Sequence, residues 1–139
     1  MCDYVFAFEK LKAWEMAKDL AISIYGVTQG FPLEEKFGLV SQLRRASVSI
    51  ASNLAEASAR QSSKDQAHFS QLAYSSLVEV VCQLKIASEL GYLSAREHEE
   101  LRQRAGKLSY MINALQTSQK KSWSQPFQPL QPLSTFFLR

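Results

Sequence analysis

Residues 44–60 read RRASVSIASNLAEASAR, a run of small and aliphatic residues that carries three arginines, one glutamate and one asparagine. At the spacing of an α-helix this segment has two distinct faces. The apolar face contains Leu43, Ser47, Ile50, Leu54 and Ala57. The polar stripe beside it contains Arg45, Ser49, Asn53, Glu56 and Arg60. The segment therefore predicts a helix that packs into a core on one face and makes polar contacts on the next.

Helical periodicity continues towards the N-terminus of this segment. A first helix is predicted over residues 8–28, and the helix of the opening segment is predicted over residues 33–59, after Pro32. One side of the first helix is expected to face inward, with Leu11, Trp14, Lys18, Ala21, Tyr25 and Thr28 along it and with Ala17 and Ile24 beside them.

Two serines mark the starts of further helices. Ser63 and Ser94 each precede a Gln or Glu by three residues, which is the spacing of a capping box. A third helix is therefore predicted from Ser63 to the stop at Gly91, and a fourth from Ser94 to about Lys121. The inward faces of these two helices are expected to contain Phe69, Leu72, Ala73, Ser76, Leu77, Val80, Leu84 and Ala87, and Leu101, Ala105, Leu108, Ile112 and Leu115.

Four amphipathic helices with short connections predict an all-α fold, an oligomeric antiparallel up-down-up-down four-helix bundle over residues 1–122. Residues 123–139 carry three prolines at three-residue spacing, which predicts an extended Pro-rich tail rather than a helix. Because the tail also contains apolar residues such as Phe136 and Phe137, we expect it to pack on its own or an adjacent subunit. A disordered tail is the alternative.

The composition is that of an ordinary globular domain, with 139 residues, a net charge of +3 and 46% apolar residues. The N-terminus lacks the pattern of a signal peptide and no apolar run is long enough to span a membrane, so we expect a cytoplasmic protein with no membrane partner. Cys2 and Cys82 lack ligand spacing, and they are expected to be reduced and metal-free.

No catalytic constellation is recognisable in the sequence. Asp65 and His68 have the i, i+3 spacing of one half of a di-iron site, but the chain has no second such pair. Glu79 is interpreted as a surface acid, or as one paired with an arginine such as Arg44, rather than as a catalytic carboxylate. We therefore expect no enzyme activity, no metal and no cofactor.

Acidic and basic residues are sorted along the chain, and an up-down bundle collects them at opposite ends. One end, named here the basic pole, receives Lys10, Lys12, Arg60, Lys64, Lys120 and Lys121. The other end, the acidic pole, receives Glu34, Glu35, Glu89, Glu97, Glu99 and Glu100. Helix dipoles account for only part of this sorting, because Lys10, Lys12 and Lys64 lie near helix starts. In a cyclic oligomer of parallel subunits the basic pole would form a positive ring that attracts phosphates.

The polar stripe of residues 44–60 has two interpretations. Small residues in this helix allow a second helix to approach closely, which makes part of the stripe a set of structural or subunit-interface groups, namely Ser49, Asn53 and Glu56. The alternative is direct contact of nucleic acid with the arginines, namely Arg44, Arg45 and Arg60.

Three stretches together carry a family resemblance: FEKLKAWEMA at residues 8–17, FPLEEKFGLVSQLRRASVSIASNLAEASAR at 31–60 and SLVEVVCQLKIASELGYL at 76–93. The chain resembles the four-helix bundle proteins encoded in intervening sequences of bacterial 23S ribosomal RNA genes, also called S23 ribosomal protein-like. The elements FPxxExxGLxxQxRR, SIxxNxAE and LGY are the most specific. The family has glycine where this chain has Ala57 and often near Ala59, so the second helix is expected to extend nearly to Arg60.

The resemblance implies a homo-oligomer, with a pentamer as the expected form, and no known catalytic chemistry. It also implies a relationship to the accessory protein of diversity-generating retroelements, a basic pentameric barrel associated with nucleic acid. Such a relationship between bundles does not by itself assign a ligand.

Two functions remain open at this point. The first is a non-catalytic oligomeric bundle that binds RNA or DNA mainly through phosphate contacts of the basic pole. It would not read base sequence, because the aromatic residues are expected in the core or the tail rather than on an exposed stacking platform. The alternative is a protein-interaction or scaffolding module, with an unidentified protein partner and no nucleic-acid role.

Overall fold

The structure, a computed structural model, describes residues 3–124. Within that range it contains four α-helices and no strand: α1 Lys12–Thr28, α2 Leu39–Ala59, α3 Ser63–Glu89 and α4 Ala95–Ser124. Two short 3-10 turns precede α1 and α2, at Ala7–Lys10 and Leu33–Glu35. Each helix contacts its neighbours in chain order, and α4 contacts α1, so the four helices close into a bundle. The predicted all-α four-helix fold is confirmed.

The core is a single cluster to which all four helices contribute. Its largest fully buried side chains are Leu20, Ile24, Leu43, Ile50, Leu54, Leu77, Val80, Leu84, Leu108 and Ile112. Burial of each such side chain is worth about 1.5–3 kcal/mol, so this cluster is the main source of stability. No helix in residues 3–124 combines the length and apolarity that a bilayer span requires.

Several predicted helix boundaries are confirmed by capping contacts. Ser94 Oγ accepts a hydrogen bond from the Glu97 amide (3.0 Å), and the Glu97 carboxylate accepts one from the Ser94 amide (2.9 Å). Gly91 follows α3 with a φ of 82°, in the left-handed conformation expected of a glycine stop. The helix of the opening segment ends at Ala59, with Arg60 in extended conformation after it, close to the predicted end.

Three predictions at helix starts are wrong. α1 begins at Lys12 rather than at residue 8, because Ala7–Lys10 forms a 3-10 turn and Leu11 is extended. α2 begins at Leu39 rather than at residue 33, because Leu33–Glu35 forms a 3-10 turn and Gly38 has a non-helical backbone. The cap of α3 is Ser62 rather than Ser63: the Ser62 hydroxyl accepts a hydrogen bond from the amide of Asp65, at 3.1 Å. Both serines precede a polar residue by three positions, so the sequence pattern alone did not show which of the two caps α3.

The inward side of α1 also differs from the prediction. The buried residues are Ala13, Ala17, Leu20, Ala21, Ile24 and Thr28. Trp14 and Lys18 are only half-buried and Tyr25 is exposed, so the buried face is rotated by about one residue from the predicted one. Small and aliphatic side chains fill the narrow space between helices, and the large amphipathic side chains lie at its edge.

The C-terminal part of the chain is described only as far as Ser124, where α4 ends. The helix therefore passes the predicted end near Lys121. The predicted extended tail, residues 123–139, is wrong for its first two residues, because residues 123 and 124 belong to α4. The rest of that prediction, for residues 125–139, lies outside the described residues.

Two glycines provide a contrasting pair of stability tests. In α4 a Cβ on Gly106 would meet only the guanidinium of Arg102, at an ordinary 3.7 Å, whereas Gly91 has its φ of 82°. Gly106→Ala should raise the free energy of unfolding by about 0.5–1 kcal/mol, because alanine favours the helix. Gly91→Ala should lower it by about 1 kcal/mol, because the left-handed conformation strains other residues. Urea unfolding followed by circular dichroism measures both, and changes of the same sign would contradict this account.

Candidate nucleic-acid interface

The basic pole is created by the antiparallel arrangement of the helices. Lys12 is the first residue of α1, Arg60 follows the last residue of α2, and Lys64 lies in the first turn of α3. Lys120 and Lys121 lie near the end of α4. Because α1 and α3 begin where α2 and α4 end, these five exposed side chains share one end of the bundle.

The remaining basic residue of the pole, Lys10, belongs to the 3-10 turn Ala7–Lys10, which packs on α2. The ring of Phe8 in this turn lies edge-on against Trp14 of α1, with 4.7 Å between centroids, and so fixes the turn to the bundle. Four lysines of the pole form no ion pair within the part of the chain that the structure describes: Lys10, Lys12, Lys120 and Lys121.

Arg60 is held against the junction of α2 and α3. Its guanidinium forms an ion pair with Glu56 and lies 4.5 Å from the ring centroid of Phe69. Its carbonyl accepts a hydrogen bond from the Gln66 side chain, at 2.9 Å. Glu56 offsets part of the charge of Arg60, so Arg60 contributes less positive potential to the basic pole than the lysines do.

The structure does not bring Arg44 and Arg45 to the basic pole. Both lie in the first half of α2, nearer the acidic pole. Arg44 Nε donates to the hydroxyl of Thr28 (3.0 Å) at the end of α1, and its guanidinium stacks 4.5 Å from the ring centroid of Tyr25. Arg45 pairs with Glu79 at 2.7 Å, so the partner of Glu79 is Arg45 rather than the expected Arg44.

The polar stripe of α2 faces α3 of the same chain. The hydroxyls of Ser49 and Ser76 share a hydrogen bond of 2.9 Å, and the Asn53 amide donates to the Ser49 carbonyl at 2.9 Å. Glu56 continues the stripe through its ion pair with Arg60. The observed contacts of these residues are thus structural contacts within one subunit.

The sequence elements FPxxExxGL and LGY meet at the acidic pole. The rings of Phe31 and Tyr92 lie 5.4 Å apart, and the Tyr92 hydroxyl donates to one carboxylate oxygen of Glu35 at 3.4 Å. The other oxygen accepts from the amide of Leu39, at 2.9 Å, and so caps α2. A Cβ on Gly38 would lie 2.6 Å from that oxygen, so any other residue at this position would require the Glu35 carboxylate to move.

Partial desolvation and the carboxylate of Glu35 raise the pKa of Tyr92 above its ordinary value of 10.0. The phenol therefore stays protonated and able to donate to Glu35. A group whose pKa is raised by folding stabilises the folded state below its ordinary pKa, and this contribution is lost as the pH rises through the raised value. The junction is accordingly insensitive to Tyr92 ionisation near neutral pH.

The role of Glu35 as a cap gives a direct test. Glu35→Ala should lower the free energy of unfolding by about 1 kcal/mol, because the amide of Leu39 loses its acceptor. Glu34→Ala is the matched control, since Glu34 lies exposed in the same turn. Urea unfolding at neutral pH compares the two, and equal losses would show that general charge at the helix start, and not the cap, is responsible.

The sequence analysis missed an apolar groove between the outer sides of α1 and α2. Its volume is 590 Å³. It is lined by Phe8, Trp14, Lys18, Ala21, Ile22, Tyr25, Val48, Ala51, Ser52 and Ala55. The groove includes Trp14, Lys18 and Tyr25 of α1, which the helical periodicity assigned to the core. The signal in the sequence is that the apolar positions of α1 cover a wider part of the helix surface than a single core-facing side requires. A second missed feature is Tyr110 of α4, an aromatic residue that is strongly exposed.

Residues that bind metals are not grouped in this structure. Within residues 3–124, no three His, Cys, Asp or Glu side chains lie close enough to hold a metal ion together. His68 packs its ring against Phe69, with 5.4 Å between centroids.

The fold and these surfaces define a class: an all-α four-helix bundle with oppositely charged ends and an apolar groove on one side. The chain belongs to the family of 23S rRNA-intervening sequence proteins, since the model of that family matches residues 9–114. The family resemblance of the sequence elements is thereby confirmed.

A solved structure with a similar fold comes from Bacteroides thetaiotaomicron and is described as a protein with unknown function from the S23 ribosomal protein family. Its TM-score is 0.70 at 19% identity, over 76% of this chain and 95% of that chain. Similarity at this identity shows the fold alone. No curated protein matches the chain.

Proposed function

We propose that this protein is a non-catalytic homo-oligomer that binds RNA or DNA through phosphate contacts of its basic pole. The observation that carries the proposal is the gathering of six basic residues at one end of the bundle from three separated segments, namely the start of α1, the α2–α3 junction and the end of α4. Four of these six residues form no ion pair within residues 3–124, namely Lys10, Lys12, Lys120 and Lys121.

The positions of two lysines argue for a binding surface rather than for helix stabilisation. Lys12 and Lys64 lie in the first turns of α1 and α3, where the helix dipole is already positive. A cation there opposes folding by about 0.3–1 kcal/mol, and it raises the positive potential of the pole. Such a potential attracts phosphates regardless of base sequence.

Part of the pole lies beyond the region that the family model matches. That region ends at residue 114, whereas Lys120 and Lys121 lie near the end of α4. Two of the six basic side chains are thus supplied by a segment outside the family match. The nucleic-acid binding proposed for this pole is therefore proposed for this chain and not for the family as a whole.

The apolar groove between α1 and α2 favours an assembly role over catalysis. Eight of its ten lining residues are apolar or aromatic, and none of the ten is Asp, Glu, His or Cys. Ile22 is 64% exposed at its edge, although it is a large apolar residue. A contiguous apolar surface of this kind is typical of a protein interface.

We propose that the groove is covered by a second copy of this chain in a cyclic homo-oligomer, with a pentamer as the expected form. Ala51, Ser52 and Ala55 of α2 line the groove and have small side chains. A helix of a neighbouring subunit can therefore approach the α2 backbone closely. A cyclic arrangement with parallel subunits would place the basic poles side by side in one ring.

Nucleic-acid binding is tested by removing charge from the pole. Lys12→Gln, Lys120→Gln and Lys121→Gln, combined in one variant, should weaken binding to mixed-sequence RNA and DNA by about tenfold or more at low salt. The variant should also show a shallower dependence of affinity on salt, because each phosphate contact releases about 0.7–0.9 counterions. Fluorescence anisotropy at several salt concentrations measures both quantities.

The matched control removes three positive charges away from the pole, with Lys36→Gln, Lys85→Gln and Arg96→Gln. This control should bind nearly as the natural protein does. If both variants lose affinity equally, net charge rather than the basic pole is responsible. If the natural protein binds neither nucleic acid at low salt, the scaffolding alternative replaces this proposal.

The proposed subunit interface has its own test. Ile22→Glu places a charge in the groove and should dissociate the oligomer, because an unpaired charge is costly to bury. Ile86→Glu on α3, where Ile86 is 46% exposed outside the groove, is the control. Light scattering should give a mass several times 15.7 kDa for the natural protein and for the control. A natural protein that is a monomer at micromolar concentration would overturn the assembly proposal.

A further inference from the structure

The outer face of α4 carries a polar and aromatic stripe that the bundle does not use. Its members follow one another at three- and four-residue spacing, so they lie on one side of the helix, opposite the buried residues Leu101, Leu108 and Ile112. The stripe, named here the α4 stripe, consists of Lys107, Tyr110, Ala114, Thr117 and Lys121. A shallow groove of 460 Å³ follows its second half, lined by Tyr110, Asn113, Ala114, Thr117, Ser118 and Lys121.

Tyr110 is the distinctive residue of the α4 stripe. It is 78% exposed, although tyrosine normally buries most of its ring. Other strongly exposed aromatic rings have a partner: Phe37 lies beside Lys36, and Tyr4 packs against Phe6. Among the side chains of residues 3–122, the ring of Tyr110 stacks on no other ring and on no cation. Tyr110 is therefore an exception to the expectation that the aromatic residues lie mostly in the core or the tail.

The charges around Tyr110 select an anionic ligand. Residues 101–124 of α4 contain five basic residues and no acid. Lys107 and Lys121 flank the ring along the helix and are separated by about 21 Å of helix axis. Asn113, Thr117 and Ser118 add hydrogen-bonding groups beside the ring. Because Lys121 also belongs to the basic pole, the α4 stripe continues that positive surface along the side of the bundle.

We infer that the α4 stripe binds a single-stranded segment of RNA or DNA, with one base stacked on Tyr110, a neighbouring phosphate at Lys107, and a phosphate several nucleotides further along the strand at Lys121. An exposed ring between cations is the arrangement with which proteins bind single strands without reading their sequence. A duplex does not fit this role, because its bases are already stacked on one another and cannot reach a ring on a helix surface. The inference rests on the proposed nucleic-acid function and specifies the ligand and the contact.

The test separates stacking from charge. The natural protein, Tyr110→Ala and Tyr110→Phe are titrated with a short oligothymidylate and with a strand of the same length whose bases are replaced by abasic residues. The natural protein should bind the strand with bases about tenfold more tightly than the abasic strand. Tyr110→Ala should lose this difference while keeping the salt dependence, and Tyr110→Phe should keep the difference, because phenylalanine retains the ring.

Each other outcome overturns the inference in a distinguishable way. If Tyr110→Ala still prefers the strand with bases, or if it weakens binding of both strands equally, stacking on Tyr110 is excluded and the basic pole stands as the only site. If the natural protein binds neither strand at low salt, the inference and the proposed function fail together. Circular dichroism and light scattering confirm that the variants retain the fold and the oligomeric state.

Discussion

The simultaneous packing of two adjacent faces of α2 constrains the rest of the structure. Leu43, Ile50 and Leu54 bury one face in the core, and the polar stripe beside it lies along α3, where Arg45 pairs with Glu79. A buried leucine or isoleucine contributes about 1.5–3 kcal/mol, whereas an exposed ion pair contributes about 0–1 kcal/mol. The core therefore supplies the stability, and the polar contacts fix the rotation of α2. Once both faces are used, the third face is left to line the apolar groove.

The sequence elements that identify the family are used to build the bundle. Glu35 caps α2 and accepts from Tyr92, which comes from the connection between α3 and α4. Gln42 accepts a hydrogen bond from Gln83 across α2 and α3, at 3.2 Å. The contacts of Tyr92 with Glu35 and of Gln83 with Gln42 join segments that are distant in sequence. Recognisable residues of the chain thus specify its fold, whereas several residues of the proposed binding surfaces, namely Lys64, Tyr110, Lys120 and Lys121, lie outside the three stretches that carry the family resemblance.

This division explains how one bundle can present three different surfaces. The antiparallel topology gathers lysines from three segments at one pole: the start of α1, the start of α3 and the end of α4. The groove between α1 and α2 is apolar and suits a second copy of the chain, whereas the outer face of α4 is polar, basic and suits a phosphate backbone. The groove and the α4 stripe lie on different helices, so different residues are proposed for the two surfaces.

The sequence by itself determined the four helices, the serine cap of α4, the glycine stop of α3 and the sorting of charge, because these depend on local spacing and on chain order. Only the tertiary structure decided where α2 begins, since the cap formed by Glu35 depends on a fold that also brings Tyr92 to it. It also decided which arginine pairs with Glu79, how α1 is rotated and that Tyr110 is exposed. Helical periodicity determines which residues share a face, but the neighbouring helices determine which face each of them covers.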